Sequence, residues 1–133
     1  RIYDIETASL VREIHEHQKR VSALSFGSNN LMYTGSKDRN ILVNDLRIRD
    51  ATINRLNVHE AKSVTELPAL NRELSPSGSN DNWVAIWDLR RHQLYRKYTE
   101  HKGAIKAIDW CPWKTGVIAT AGGAGDKTIR IWN

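Results

Sequence analysis

Cysteine is almost missing. Cys111 stands alone among 133 residues, so no internal disulfide can form, and no Asn-x-Ser/Thr sequon occurs. Both features point to a reducing compartment, the cytosol or the nucleus. No apolar run approaches the ~18 residues that would suggest a membrane span. The opening Arg1-Ile2-Tyr3-Asp4 has neither an initiator Met nor the basic-then-apolar form of a signal peptide. The sequence therefore reads as an internal piece of something longer, with no membrane partner. A persuasive helical stripe is lacking too, so a helical fold is not expected.

What is present fits one ordinary domain: 40% apolar and 26% charged residues. The net charge of +5 raises nucleic acid as a partner. The basic residues are spread out, however, and the densest groups, Arg47/Arg49/Arg55 and Arg90/Arg91/Arg96/Lys97, sit among acids without interleaved aromatics. They read as solvated outer loops that could meet an acidic protein, not as a nucleic-acid site. Cys111, in Trp110-Cys111-Pro112-Trp113 at the end of an apolar alternation, reads as a buried structural thiol and not as a nucleophile.

The chain repeats itself. "RIYD" (1–4), "LVND" (42–45), "AIWD" (85–88) and "RIWN" (130–133) are versions of one ending. Their third residues, Tyr3, Asn44, Trp87 and Trp132, are spaced by 41, 43 and 45 positions. Six residues before each of the last three stands an acid, Asp38, Asp81 or Asp126, and upstream of these stand His17, His59 and His101, 42 apart. Within each unit apolar residues alternate (Ile41 and Val43; Val84 and Ile86; Ile129 and Ile131), which is a strand period. Four short strands per unit of about 42 residues is the size of one propeller blade.

The recurring polar residues then acquire structural work. An Asp suits the tight turn between a blade's second and third strands, and its carboxylate can reach the imidazole in the loop entering the blade. A hydroxyl on the second strand (Thr34, Ser77, Thr120) and the indole N–H of Trp87 or Trp132 can complete a hydrogen-bonded chain. Buried polar groups need such partners, since orphaning one costs on the order of 1–3 kcal/mol.

Rival chemistries fail on spacing. His15-Glu16-His17 resembles a metal cluster, but the repeat claims His17 and no further His/Cys pair stands at zinc spacing. His92 reads as an exposed loop residue. "AGGAGDKT" (121–128) resembles a phosphate loop, but Asp126 separates Gly125 from Lys127 and the segment should enter a strand, so a widened turn is expected. No Ser-His-Asp set stands apart from the repeat, and Glu6, Glu13, Glu16, Glu66 and Glu73 read as solvated. No catalytic residue, metal or cofactor is expected.

The Asp-x5-Trp-Asp endings with an upstream His resemble WD repeats. "TGSKDRNILVNDLRIRD" (34–50), "GSNDNWVAIWDLR" (78–90) and "YTEHKGAIKAIDWCPWKTGVIATAGGAGDKTIRIWN" (98–133) further resemble the Fizzy and Fizzy-related family, the substrate-recruiting activators of the anaphase-promoting complex. The resemblance implies an all-β chain: a partial WD-repeat β-propeller of about three four-stranded blades plus one strand of a preceding blade, from a seven-bladed parent. The divisions would be 1–4, the last part of a preceding blade, then repeats at 5–46, 47–90 and 91–133. Three blades alone leave two open flanks, so the piece is expected to be aggregation-prone.

The same resemblance implies a non-enzymatic adaptor of the nucleus and cytoplasm. Its partners would be complex subunits and substrates carrying Lys-Glu-Asn or destruction-box motifs. In the family an Asn-Asp-Asn cluster contributes asparagines to the Lys-Glu-Asn receptor, and it maps onto Asn80 and Asn82. An asparagine offers both donor and acceptor. Asp81 keeps its turn role. Without the resemblance, both asparagines are ordinary turn residues. Where the family has a receptor threonine in the Gly-rich turn, this chain has Ala124. Ala69 replaces a large aromatic and Pro68 and Pro76 fall inside expected strands, so the middle blade should be loosely packed or its first two strands irregular. Asn44 stands where Trp is usual, so the hydrogen-bond chain of its own blade should be altered. The alternative is a WD-repeat scaffold of another intracellular complex.

Overall fold

The computed structural model describes residues 1–57, 64–66 and 73–133. Thirteen strands lie among the described residues, in order: β1 (Ile2–Asp4), β2 (Ser9–Arg12), β3 (Val21–Phe26), β4 (Leu31–Ser36), β5 (Asn40–Asp45), β6 (Thr52–Asn57), β7 (Val64–Glu66), β8 (Leu74–Ser79), β9 (Val84–Asp88), β10 (Gln93–Tyr98), β11 (Ile105–Trp110), β12 (Ile118–Gly122) and β13 (Ile129–Trp132). Among the described residues there is no helix. The units 5–46, 47–90 and 91–133 hold four strands each, and β1 is left over in 1–4.

Hydrogen bonding groups the strands with an offset of one. The antiparallel sheets are β1-β2, β3-β4-β5-β6, β7-β8-β9-β10 and β11-β12-β13. The first strand of every unit therefore closes the sheet before it. The preceding blade is represented by two paired strands, β1 and β2, and the last blade by three. Arg12 on β2 donates to the carbonyls of Leu46 (3.2 Å) and Ile48 (2.7 Å), tying the first sheet to the second.

The sheets stack face to face, and the core lies between them. In β9 the period of two sends Ala85 and Trp87 toward Ala23, Tyr33, Ile41, Val43 and Leu56 of the second sheet. Val84 and Ile86 go the other way, onto Ile105, Ile108 and Ile118 of the last. Each fully buried Val, Leu or Ile among them contributes ~1.5–3 kcal/mol. Gly78 marks the closest approach of the third and fourth sheets: a Cβ there would lie 2.5 Å from Ile105 Cγ2 and 2.9 Å from Ile108 Cδ1. Where the stack stops, the same alternation is wasted: Ile129 and Ile131 are 77% and 74% exposed.

The middle unit is irregular only in part. Pro76 is buried in β8 opposite Ile86, while the described pairing of β7 with β8 covers only Ser79 and Gly78, with a register shift. Pro76, which has no N–H to give, thus lies outside the described β7 ladder. Among the described residues of this unit, Val64, Val84 and Ala85 are wholly buried. Pro68 and Ala69 lie outside the described residues.

Candidate functional site

Each second-to-third-strand turn leaves its sheet at the same end, and there the recurring polar residues meet. The last unit is complete. His101 Nδ1 bonds Asp126 Oδ2, and both side chains are 1% exposed. His101 Nε2 lies 2.7 Å from Thr120 Oγ1, which accepts from Trp132 Nε1 at 2.9 Å. A hydroxyl that accepts from the indole has its own hydrogen left for Nε2, so Nδ1 carries the proton that goes to the carboxylate. Asp126 also accepts from Thr128 Oγ1 (2.7 Å) and the Lys102 N–H (3.2 Å). The His101 hydrogen bond, then that of Thr128, holds its carboxyl well below the usual carboxylate range, against burial.

The first unit has the same frame with one part exchanged. His17 Nδ1 bonds Asp38 Oδ2 at 2.8 Å, and Nε2 lies 2.9 Å from Thr34 Oγ1. Burial pushes the Asp38 carboxyl up, but the Asn40 N–H, His17 and the Gln18 N–H together hold it below its ordinary value. Asn44, buried where Trp87 and Trp132 stand elsewhere, reaches Thr34 Oγ1 only at 3.4 Å. Its amide turns instead to the Met32 carbonyl (3.2 Å) and accepts from Thr52 Oγ1 (2.8 Å). A cavity of about 320 Å³ opens beside it, lined by Leu24, Met32, Thr34 and Leu42 among others.

In the middle unit Trp87 Nε1 donates to Ser77 Oγ at 2.8 Å, both buried. His59 lies outside the described residues. Asp81 holds its turn by accepting from the Trp83 N–H at 3.1 Å. The flanking asparagines do different things. Asn82 sits in the left-handed region, with φ 72°, which Asn tolerates better than most. Asn80 carries a buried Oδ1 with no hydrogen-bond partner, and such an atom calls for an explanation. Beside them Lys97 Nζ stands over the Trp83 ring, 2.7 Å from its centroid.

Ala124 is exposed on the neighbouring turn, 123–128. The two turns share one end of adjacent sheets, because Gly78 packs on Ile105 and Ile105 pairs with Gly122. The glycines have a structural reason: a Cβ on Gly122 would collide with the Asp126 carboxylate, and one on Gly103 would stand 2.9 Å from the Asp126 nitrogen. The turn is the widened one expected, six residues against three at 37–39 and four at 80–83.

Other expectations meet plain outcomes. Cys111 is half-buried, at the strand end where its N–H bonds the Val117 carbonyl. His92 is half-buried on a left-handed turn and not exposed. His15 bonds Glu13, which also pairs with Arg1, while His17 is engaged with Asp38. Among the described residues no group of three or more His, Cys, Asp or Glu is placed to hold a metal ion. Ser36 and Ser79 were not singled out in the sequence. Their hydroxyls accept from the Asp38 and Asp81 N–H groups at 3.1 and 3.3 Å. The signal was the Gly-Ser repeated before the first two turns, Gly35-Ser36 and Gly78-Ser79.

Comparison with known proteins places these features. Residues 8–45 and 92–133 match the family described as "WD domain, G-beta repeat"; the middle unit is outside the match. "Protein FIZZY-RELATED 2" of Arabidopsis thaliana is 37% identical over 99% of this chain, which spans 27% of that relative. "Anaphase-promoting complex subunit cdc20" of Dictyostelium discoideum is 32% identical over 99% of the chain and 27% of its own length. A chain of the "Crystal Structure of Mitotic Checkpoint Complex" superposes with a TM-score of 0.92 at 37% identity, covering 98% of this chain and 40% of that one. The chain thus spans about a quarter of the curated relatives it matches.

Proposed function

The chain belongs to the WD-repeat family, and on that premise we propose that it is part of a substrate-recruiting adaptor of the anaphase-promoting complex. It would act in the nucleus and cytoplasm without doing chemistry itself. Its relatives' names and the 0.92 superposition on a mitotic checkpoint chain support the cell-cycle setting. The single observation that carries peptide binding is the turn 80–82. Asp81 is committed to holding it, so Asn80 and Asn82 are left to face a partner, and the Asn80 Oδ1 has no partner within the chain. Turned outward from its buried position, that acceptor would be satisfied by a peptide amide or ammonium donor, which a Lys-Glu-Asn motif supplies. Ala124, on the neighbouring turn, offers only a methyl there, so affinity rests on the asparagines.

Complex subunits and proteins bearing Lys-Glu-Asn or destruction-box motifs are the partners of this reading; nucleic acid and membrane are not. The test is titration with a Lys-Glu-Asn peptide of the protein and of an Asn80→Ala/Asn82→Gly variant. Glycine is chosen at 82 because alanine would add backbone strain at φ 72°. Weakening by about tenfold or more is expected, the size of one or two lost hydrogen bonds. Unchanged affinity would remove both asparagines from the site. A tagged protein confined to another compartment would count against the adaptor reading.

A further inference from the structure

The positions that flank the turn Asp in the first unit are Lys37 and Arg39, the equivalents of Asn80 and Asn82. The equivalence is geometric as well as sequential: Arg39 has φ 75° and Asn82 φ 72°. The two turns leave adjacent sheets side by side. Ser22 on β3, whose neighbour Val21 pairs with Ser36, bonds the Val64 carbonyl, and Val64 pairs with Ser79.

Beside the first turn is a cavity of about 300 Å³ lined by Gln18, Lys19, Lys37, Asp38 and Arg39. Its walls are pinned together. The Lys37 N–H bonds the Arg20 carbonyl at 2.9 Å, and Ser36 Oγ donates to the Lys19 carbonyl at 3.0 Å. The lining holds three cations and one carboxylate, and that carboxylate is already committed. Asp38 Oδ2 takes His17 and the Gln18 N–H (2.8 and 3.0 Å), and Oδ1 takes the Asn40 N–H (3.0 Å). Among the described residues no ion pair engages Lys19 or Lys37. Glu16 lines the neighbouring cavity between the first two sheets.

We propose that this cavity is an anion-recognising subsite next to the asparagine turn, taking an acidic side chain of the bound peptide: an Asp or Glu carboxylate, or a phosphorylated Ser or Thr. The proposal rests on the reading of Asn80 and Asn82 as a peptide receptor, since that receptor places the peptide within reach. An arginine fork and lysine ammonium groups suit either anion, and water-exposed pairs of this kind are individually weak, so the effect is selectivity more than affinity.

The test compares three peptides by calorimetric titration: Lys-Glu-Asn with a neutral flank, with an aspartate flank, and with a phosphoserine flank. At about 0.05 M salt an acidic flank is expected to tighten binding roughly three- to tenfold, the size of two screened ion pairs, with the gain shrinking near 0.5 M. In Lys19→Gln/Lys37→Gln the acidic-to-neutral ratio is expected to fall to about one. The larger gain of the two acidic flanks identifies carboxylate or phosphate as the occupant. Equal binding of acidic and neutral peptides, or a gain that survives in the variant, overturns the subsite. Failure of the neutral peptide alone overturns the asparagine receptor and leaves the subsite supported by the acidic arms. Failure of all three overturns both.

Discussion

Thr120 and Thr34 hold the same place in two hydrogen-bonded chains, so one substitution made twice separates the contribution of the indole. Valine keeps the shape of threonine and suits a strand, and removes only the hydroxyl. In Thr120→Val two groups lose their partner at once, the Trp132 N–H and His101 Nε2. Thr120 and His101 are buried, so water does not replace the hydroxyl between them. Each orphan costs ~1–3 kcal/mol. Trp132 is half-buried beside the open flank, where its N–H can find water, and stands at the low end. The sum is roughly 2–4 kcal/mol. In Thr34→Val one bystander is orphaned and the other is not. His17 Nε2 loses its donor, and the Thr34 carbonyl 3.2 Å away, itself an acceptor, cannot replace it, whereas Asn44 retains the Met32 carbonyl and Thr52. The cavity beside His17 admits water, so this single orphan stands at the low end, about 1–2 kcal/mol.

Urea midpoints followed by tryptophan fluorescence, repeated across protein concentrations, measure both. The slope with urea should not change, so the midpoint shift reports stability alone. Thr120→Ser, which keeps the hydroxyl, should lie nearer wild type than Thr120→Val. Equal losses at the two sites, or a larger loss at Thr34, would refute the assignment of the Trp132–Thr120–His101 chain as the stronger one.

Gly122→Ala should destabilise by about 2 kcal/mol or more through collision with the Asp126 carboxylate, and circular dichroism melting checks it. Asp126, held down by His101, and Asp38, held down by its N–H donors and His17 against burial, bind fewer protons folded than unfolded. Their stabilisation is whole above the ordinary 3.8 and drains as pH falls through the depressed values; Asp45, brought to about 2 by Arg47, extends the window. Urea midpoints should therefore fall as pH drops below about 4, and a rise over that range would contradict this. The exposed Ile129 and Ile131 and the unpaired edge of β13 should make these 133 residues associate as concentration rises; sedimentation velocity showing a monomer with a cooperative melt would contradict it.

The fold was legible because repetition converts a weak local signal into a strong one. A single Ile41-x-Val43 is compatible with much else, but the same alternation in three units with like endings, an Asp six residues before each third residue and His 42 apart, admits few architectures. Residues carrying two duties were harder to read. Asp126 looked like part of a Gly-rich loop until its place in the repeat excluded that, and the glycines turn out to make room for its carboxylate. Ser36 and Ser79 escaped notice because a serine after glycine has many ordinary uses; only the coordinates show it tying down the next turn. Asn44 was recognisable as a departure, but its replacement partners, Met32 and Thr52, follow from depth of burial and not from sequence spacing.

The division of labour within the turns bears on why this face is suited to recognition. The central Asp is fixed in all three by what it must hold: Asp38 and Asp126 their histidines, Asp81 its own turn. The residue after it adopts a left-handed backbone every time, at Arg39, Asn82 and Lys127 (φ 75°, 72° and 56°). Glycine would be free of strain there, whereas other residues bear ~1 kcal/mol or more at such angles, Asn less than Arg or Lys. A fold that needed only a tight turn would favour glycine at each of the three places. The chain instead accepts strain to present a guanidinium, an amide and an ammonium at one end of three adjacent sheets. Backbone strain of this kind clusters at functional sites, and these three turns share one face. Glycine at 39 or 127 should accordingly raise stability by up to about 1 kcal/mol, and at 39 it should also lower the preference for an acidic flank. A glycine variant at 39 that is no more stable than wild type would remove the strain from the case, and one with unaltered peptide preference would remove Arg39 from the face.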